Sequence, residues 1–514
     1  MILDAKLYDE WARAIADGDW IGGHDVYSLP PLYPYFVAFL YRAIGRLHGV
    51  VYVVQSVLGL VNVCLVYSIG RRVFKGWAPL IAAAMAVAYG PFMFTDAKLM
   101  STTLALTMSL SLARLMLVAR DRRTKTLWGA CGFLLGVTVL VRPETLLFAP
   151  FAAWWILRVT RQPIMSRHES WGRDRWLALV AFTALMVVAI APVTIRNWVI
   201  SGDWSLSNIV SSQAGITFYQ ANNEHAQGLY VFLGREGFSG NPRNQAVEER
   251  RIAELEIGRA MTRSEVTRFW MAKGVRWILT NPGRFLVLEA KKAMRFLGSY
   301  EYSTEYVLYV ERESVRSLWM TPLPFAAISS LALVGMMMLW TRKPDSDSAL
   351  LLGLFVLSNF IVVMMFYMSS RYRMPSVPFL ILFAAYGLER LLEGLRNPAP
   401  QRRRKVWIVI ALVAGLAIAL HLQVDESAVV QESSVHFNAG NKYGERNDYE
   451  RAVAEYRRAT AIDPRNWRAY FNMGGALIEL NRREQAIEAY QTVLRLNPRM
   501  ERARLFLHDL GVAP

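Results

Sequence analysis

The chain is short of cysteine, histidine and charge. Its 514 residues include two cysteines and seven histidines, and only 19% are charged, against about 25% in an average soluble chain. Cys64 and Cys131 both lie inside apolar runs, so a disulfide framework and a thiolate metal site are excluded. No His/Asp/Glu cluster has ligand spacing, and His24, His48 and His225 are scattered. A metal or other cofactor is therefore not expected. Acidic residues are also in deficit: 58 Lys and Arg against 41 Asp and Glu leave a net charge of +17. That balance invites a nucleic-acid reading. The basic residues, however, cluster between hydrophobic segments rather than on one soluble face, which excludes it.

Apolar residues are abundant, at 54% hydrophobic and 12% aromatic. A membrane span needs about 20 mainly apolar residues. Candidate spans run approximately over 50–70, 77–95, 100–118, 127–141, 143–159, 176–195, 319–341, 349–369, 375–392 and 406–422. "PPLYPYFVAFLYRAIGRL" is shorter and is broken by Arg42, which reads as an interfacial helix. The loops "GRRVFKG", "RDRRTK", "RVTRQPIMSRHESWGRDR", "TRKP" and "RNPAPQRRRK" alternate with loops of low positive charge. The positive-inside rule assigns the basic set to the cytoplasm. Residues 1–49, 196–318, "SSRYRMP" and everything after 423 then face outward. The span near 50–70 runs from outside to inside, which leads us to expect a further helix ahead of residue 1.

The C-terminal part repeats. Gly440, Ala452, Ala459 and Pro464 recur 34 residues later as Gly474, Ala486, Val493 and Pro498. This is the tetratricopeptide period, with small residues for close helix packing and a Pro ending each unit. The expected organisation is an external segment over 1–49, a multi-span domain over 50–422 with an outer loop at about 196–318, a linker over 423–433, and repeats over 434–514. Such repeats hold a protein or peptide partner; the bland alternative is a stabilising cap.

Polar residues on the outer side fall in three places. In "LDAKLYDEWARAIADGDW", Leu7, Trp11, Ala14 and Ile15 share one helical face, so residues 4–17 suit an amphipathic helix on the membrane. Asp4 is then either a helix cap or a carboxylate over the bundle. The outer loop holds "FYQANN", with Asn222 and Asn223, and "GSYEYSTEY", with Glu301; these suit a polyhydroxylated ligand but also make ordinary loops. "LVLEAKKAMRFLGSY" is another interfacial helix whose Lys291, Lys292 and Arg295 suit headgroups or a phosphate. Lastly, "RYRMPSVP" sets Arg371, Tyr372 and Arg373 beside the bilayer, where guanidinium pairs well with phosphate and the alternative is snorkelling. Arg142 of "RPE" poses the same choice.

Taken in order, "LDAKLYDEWA…GDW…LPPLYPYF", "RPE", "PVTIRNWVISGDW", "FYQANN…GLY" and "RYRMPSVP" resemble the bacterial GT-C glycosyltransferases related to protein O-mannosyltransferases and the lipid A aminoarabinose transferase. The resemblance covers roughly residues 1–420. It implies an all-α polytopic bundle of GT-C type with periplasmic interfacial helices, followed by a small α-solenoid of repeats. It also implies an acid in the first external loop, just after a first transmembrane helix. Asp4 and Tyr8 match the family acid and aromatic; Ala5 stands where a second acid is found, which puts any paired-acid role in doubt. Leu29 replaces the Lys that precedes the prolines in lipid A transferases, arguing against the same acceptor.

The implied activity is transfer of a sugar from a polyprenyl-phosphate-linked donor to an acceptor hydroxyl, at the outer face of the bacterial cytoplasmic membrane. Asp4 would be the base, with Arg371, Arg373, Lys291 and Arg142 serving the phosphate. One base and no covalent intermediate imply inversion. Should Asp4 prove to be only a cap, Glu301 and Asp96 are the next acids to consider. The competing readings are a flippase for lipid-linked glycans, which would show midplane charges and inverted repeats, and a non-catalytic anchor for the repeats. Membrane lipids, the lipid-linked sugar and a protein held by the repeats are the expected partners.

Overall fold

In the computed structural model the chain is helical, with no β-strand among the described residues. These are residues 3–22, 26–27, 29–122, 124–160, 171–205, 209–210, 213–230, 233, 238, 244–303, 308, 315, 321, 323–342, 346–422, 426–498 and 500–512. His24 lies outside them. The chain divides into two compact units: residues 1–299 with 317–423, and residues 300–316 with 424–514.

The first unit opens with α1 (Leu3–Ala16) and α2 (Leu32–Ile44). The bundle then builds through α3 (His48–Val73), α4 (Ala78–Ala88), α5 (Gly90–Asp96), α6 (Thr102–Arg122) and α7 (Lys125–Val141). A 3₁₀ turn at Pro143–Phe148 leads into α8 (Ala149–Val159), followed by the 31-residue α9 (Trp171–Ser201). The outer loop supplies α10 (Ala214–Ala221), α11 (Gln245–Ile257), α12 (Arg263–Thr280) and α13 (Pro282–Leu297). After it come α14 (Phe325–Arg342), α15 (Ser346–Met365), a helical turn at Ser370–Arg373, α16 (Val377–Leu395) and α17 (Pro400–His421).

Among the described residues six helices are long and apolar enough to cross a membrane: His48–Val73, Thr102–Arg122, Asp174–Ser201, Asp347–Met365, Ser370–Leu395 and Arg403–His421. Three shorter apolar helices, Ala78–Ala88, Lys125–Val141 and Phe325–Leu339, accompany them. This is a multi-pass membrane protein. The span expected over 77–95 divides at Tyr89 into α4 and α5, and that over 143–159 begins as a 3₁₀ turn because Pro143 and Pro150 flank a short apolar run.

Glycine brings the helices together. A methyl on Gly132 of α7 would overlap the Phe182 carbonyl of α9, and one on Gly136 would lie 2.6 Å from the Met186 carbonyl oxygen. Small residues four apart let backbones approach where lipid offers no hydrophobic drive. Gly335 of α14 and Gly387 of α16 play the same part, facing the Phe383 and Leu331 carbonyls. The outer loop carries a core of its own: Ile216, Tyr219, Leu233, Phe238, Ala253 and Val266 surround Trp270. Thr262 and Glu265 form a capping box that starts α12.

The second unit contains α18 (Glu426–Gly444), α19 (Tyr449–Ile462), α20 (Trp467–Glu479), α21 (Arg483–Leu496) and α22 (Glu501–Asp509). The stretch 423–433, expected as a linker, is thus helical from Glu426 onward. Gly440 lies under the ring of Tyr456, and 34 residues on Gly474 lies under Tyr490. Asn447 and Asn481, also 34 apart, both adopt the left-handed conformation, with φ of 59° and 56°. These are the periodic packing contacts of tetratricopeptide repeats.

Candidate active site

The site starts from the face that α1 buries. Ala5, Tyr8, Asp9, Ala12, Ile15 and Ala16 are covered, whereas Leu7, Trp11 and Ala14 are only half-buried. The expected face is therefore rotated, because α1 packs on α2 rather than on lipid alone. Asp4 stands one turn before Tyr8, on the covered side. Tyr8 meets Tyr33 of α2 edge-on, at 5.0 Å between centroids. Tyr33 donates to Gln55 Oε1 (2.6 Å), and Gln55 Nε2 donates to the carbonyls of Asp96 (2.9 Å) and Lys98 (2.6 Å). Asp96 itself accepts from Thr103 Oγ1 (2.6 Å). A polar chain thus runs from α1 to the turn after α5.

Further along α1, Asp9 accepts from Tyr41 Oη (2.6 Å) and stands 3.0 Å from His48 Nε2 and 2.9 Å from Arg13 Nη2. Burial pushes its carboxyl upward, but the bonds from Tyr41 and His48 and the charge of Arg13 outweigh it, and the net shift is below the ordinary Asp value. The same burial and the neighbouring carboxylate raise the Tyr41 phenol. Asp9 therefore fastens α1 to α2 and α3.

The central contact joins the two ends of the domain. Arg371 Nη1 donates to Asp4 Oδ2 at 2.8 Å, across 367 residues of sequence. The two side chains keep 26% and 21% exposure respectively, so the pair is accessible to a ligand. Aromatic rings surround it: Tyr372 lies beside the Arg371 guanidinium at 5.4 Å, Tyr367 packs edge-on to both Tyr372 (5.5 Å) and Tyr230 (5.6 Å), and Tyr230 lies within electrostatic reach of Asp4 and Arg371. A carboxylate, a guanidinium and three tyrosines are thus gathered in one place.

The other expected site residues are placed differently. Lys291 is exposed on α13, and its neighbour Lys292 turns inward, fully buried, donating to Glu289 (2.7 Å) and to the Met364 carbonyl (2.8 Å). Asn222 accepts from Lys292 and donates to the Met365 carbonyl (3.1 Å), while Asn223 donates to the Tyr219 carbonyl (2.8 Å); both staple the end of α10. Arg142 closes α7 with Glu144 (3.0 Å) and Thr102 (3.1 Å). Arg373 is wholly buried against backbone carbonyls. Glu301 belongs to the second unit. Among the described residues, no group of three or more His, Cys, Asp or Glu is placed to hold a metal ion.

Sequence reading missed Gln55, Tyr230 and Tyr367, and expected Lys292 to meet headgroups or a phosphate, whereas it is fully buried. For Lys292 the signal was present: Leu288, Lys292, Arg295 and Phe296 form one helical stripe, and all four are buried. For Gln55, Tyr230 and Tyr367 no local pattern distinguishes them.

Residues 28–195 match the family model described as dolichyl-phosphate-mannose-protein mannosyltransferase. Residues 440–478 and 467–500 match tetratricopeptide repeat models. No curated protein matches the chain. Among solved structures, the chain is similar to the apo oligosaccharyltransferase of Archaeoglobus fulgidus at 16% identity and a TM-score of 0.44, covering 86% of this chain and 55% of that one. For the same enzyme tethered to an acceptor peptide, the values are 14%, 0.42, 87% and 54%. ArnT from Cupriavidus metallidurans bound to undecaprenyl phosphate gives 15% and 0.33, covering 76% of this chain and 74% of that one. The chain thus spans about half the length of the archaeal enzyme. A segment over 28–195 thus resembles the mannosyltransferase family, and the C-terminal module consists of tetratricopeptide repeats.

Proposed function

We propose that the protein is an inverting glycosyltransferase that moves a sugar from a polyprenyl-phosphate donor to an acceptor hydroxyl, on the outer face of a bacterial cytoplasmic membrane. The observation that carries this reading is the Asp4–Arg371 pair. A guanidinium has five N–H donors and can serve a carboxylate and a phosphate together. With the donor phosphate on Arg371, the anomeric carbon comes near Asp4. The acceptor oxygen attacks that carbon opposite the phosphate, and Asp4 takes the hydroxyl proton. The C–O bond to phosphate breaks, and the leaving group departs as an anion that Arg371 stabilises.

The leaving group needs no proton, so one base suffices, and the reading calls for no metal or other cofactor. The family description over 28–195, which names a lipid-phosphate-linked sugar, supports the donor class. The repeats are the natural place for a protein partner or a protein acceptor.

The test is Asp4→Asn in full-length protein in native membranes, following sugar release from polyprenyl-phosphate sugars with protein abundance checked. Turnover is expected to fall about 10²–10⁴-fold, the usual worth of a positioned base. Unchanged turnover at equal abundance would make Asp4 a helix cap and refute the mechanism.

A further inference from the structure

Two buried cations cross over one another beside the site. Lys292, on α13, donates to the Met364 carbonyl in the last turn of α15 at 2.8 Å. Arg373, on the turn that follows α15, donates to the Phe296 (3.2 Å) and Gly298 (2.6 Å) carbonyls at the end of α13. Its guanidinium also lies 3.9 Å from the centre of the Phe325 ring. Each segment therefore supplies a cation to the other's helix C-terminus, where carbonyls lack intrahelical partners and the helix dipole favours positive charge. Both cations have 0% exposure, so neither is open to a phosphate. The residues between the two anchor points include Tyr367 and Arg371. Met368 N is tied as well, donating to the Gly228 carbonyl at 2.8 Å, and Tyr372 N and Arg373 N both donate to the Ser369 carbonyl.

We propose that Lys292 and Arg373 form a reciprocal clasp whose role is to aim Arg371 at Asp4, making them positioning residues for the sugar transfer. The inference rests on the proposed roles of Asp4 and Arg371. It replaces the expectation that Arg373 itself meets the donor phosphate. A flexible turn would let the Arg371 guanidinium stray by an ångström or more, and misplacement on that scale costs on the order of 10²-fold in rate.

The variant to make is Arg373→Gln in the full chain. Arg371 opposite Asp4 favours the ionised carboxylate, so a stray Arg371 lets the Asp4 proton bind more tightly. Turnover is expected to fall at least about tenfold, with the acid limb of the pH–rate profile moving up by roughly one unit. The double variant Arg371→Gln/Arg373→Gln should be no worse than Arg371→Gln alone, because the second residue acts through the first. An unmoved acid limb, with effects that add, would overturn the clasp's role and leave Arg373 as a fold element only.

A readout independent of turnover covers the case in which no donor tested is a substrate. In a Cys64→Ser background, Asp4→Cys and Arg371→Cys are joined by a short bifunctional maleimide. Adding Arg373→Gln, or Lys292→Gln should the first variant not fold, is expected to cut the cross-linking yield several-fold. An unchanged yield overturns the inference. Wild-type protein that turns over no lipid-linked sugar, with a clasp-dependent yield intact, would instead count against the proposed function.

Discussion

Asp9 shows at the residue scale how a charge near the site is spent on structure. Its carboxylate is nearly enclosed, yet three partners from α1, α2 and α3 converge on it. Replacing Asp9 by Ala leaves Tyr41 and His48 facing an apolar gap and should cost about 3 kcal/mol, read as a lower melting temperature of the purified protein. Its pH dependence has a definite sign. The folded-state value lies below the ordinary one, so the stabilisation is complete above the unfolded value of about 3.9 and is lost as pH falls through the lower folded value. Melting curves from pH 7 to pH 3 should therefore converge for wild type and Asp9→Ala only at the acid end; a gap of constant width would refute the linkage. Asp4, five residues earlier, retains 21% exposure and pairs with Arg371. Both acids were visible in the sequence. Which one is sealed and which stays open follows from what α2 covers.

Elements in this protein are positioned by the absence of side chains as much as by their presence. The α7–α9 contact relies on Gly132 and Gly136, beneath which the backbone of α9 passes too closely for any Cβ. Gly132→Leu must push the two helices apart, since the obstacle is a carbonyl rather than a flexible side chain. Overpacking of this kind typically costs about 1–3 kcal/mol, and here the shift also carries Arg142, the residue that caps α7, away from Thr102. The expected result is reduced folded yield in the membrane and lower turnover in what remains. Wild-type yield and activity would show that the close approach is dispensable. On α1 the sequence pointed to one apolar face. Leu7, Trp11 and Ala14 have the more apolar appearance, but Ala5 and Ala12 are small enough to let α2 approach, and that face is the one buried.

At the scale of the whole molecule, the chain holds two units with different logic. The repeats are quasi-one-dimensional, so their stability is a sum of neighbour contacts. Gly474→Leu drives a side chain into the Tyr490 ring, whose nearest atoms lie 2.8–3.0 Å from where a methyl would start. Amide exchange should rise across α20–α22 while the membrane unit keeps its protection; a uniform rise over both units would show that they unfold together. The sequence by itself determined the apolar spans, because their signal is summed hydropathy over some 20 residues. It also determined the repeats, whose signal is a period, and pointed to Asp4, Arg371 and Tyr372. Each of these is local or strictly repetitive. Tertiary structure alone decided that Asp4 meets Arg371 across 367 residues, that Lys292 rather than Lys291 turns inward, and that Arg373, Asn222 and Asn223 are spent on backbone. Those outcomes depend on which surface each helix presents to a distant neighbour, and the balance between sealing a polar group and leaving it open is struck only when the helices pack.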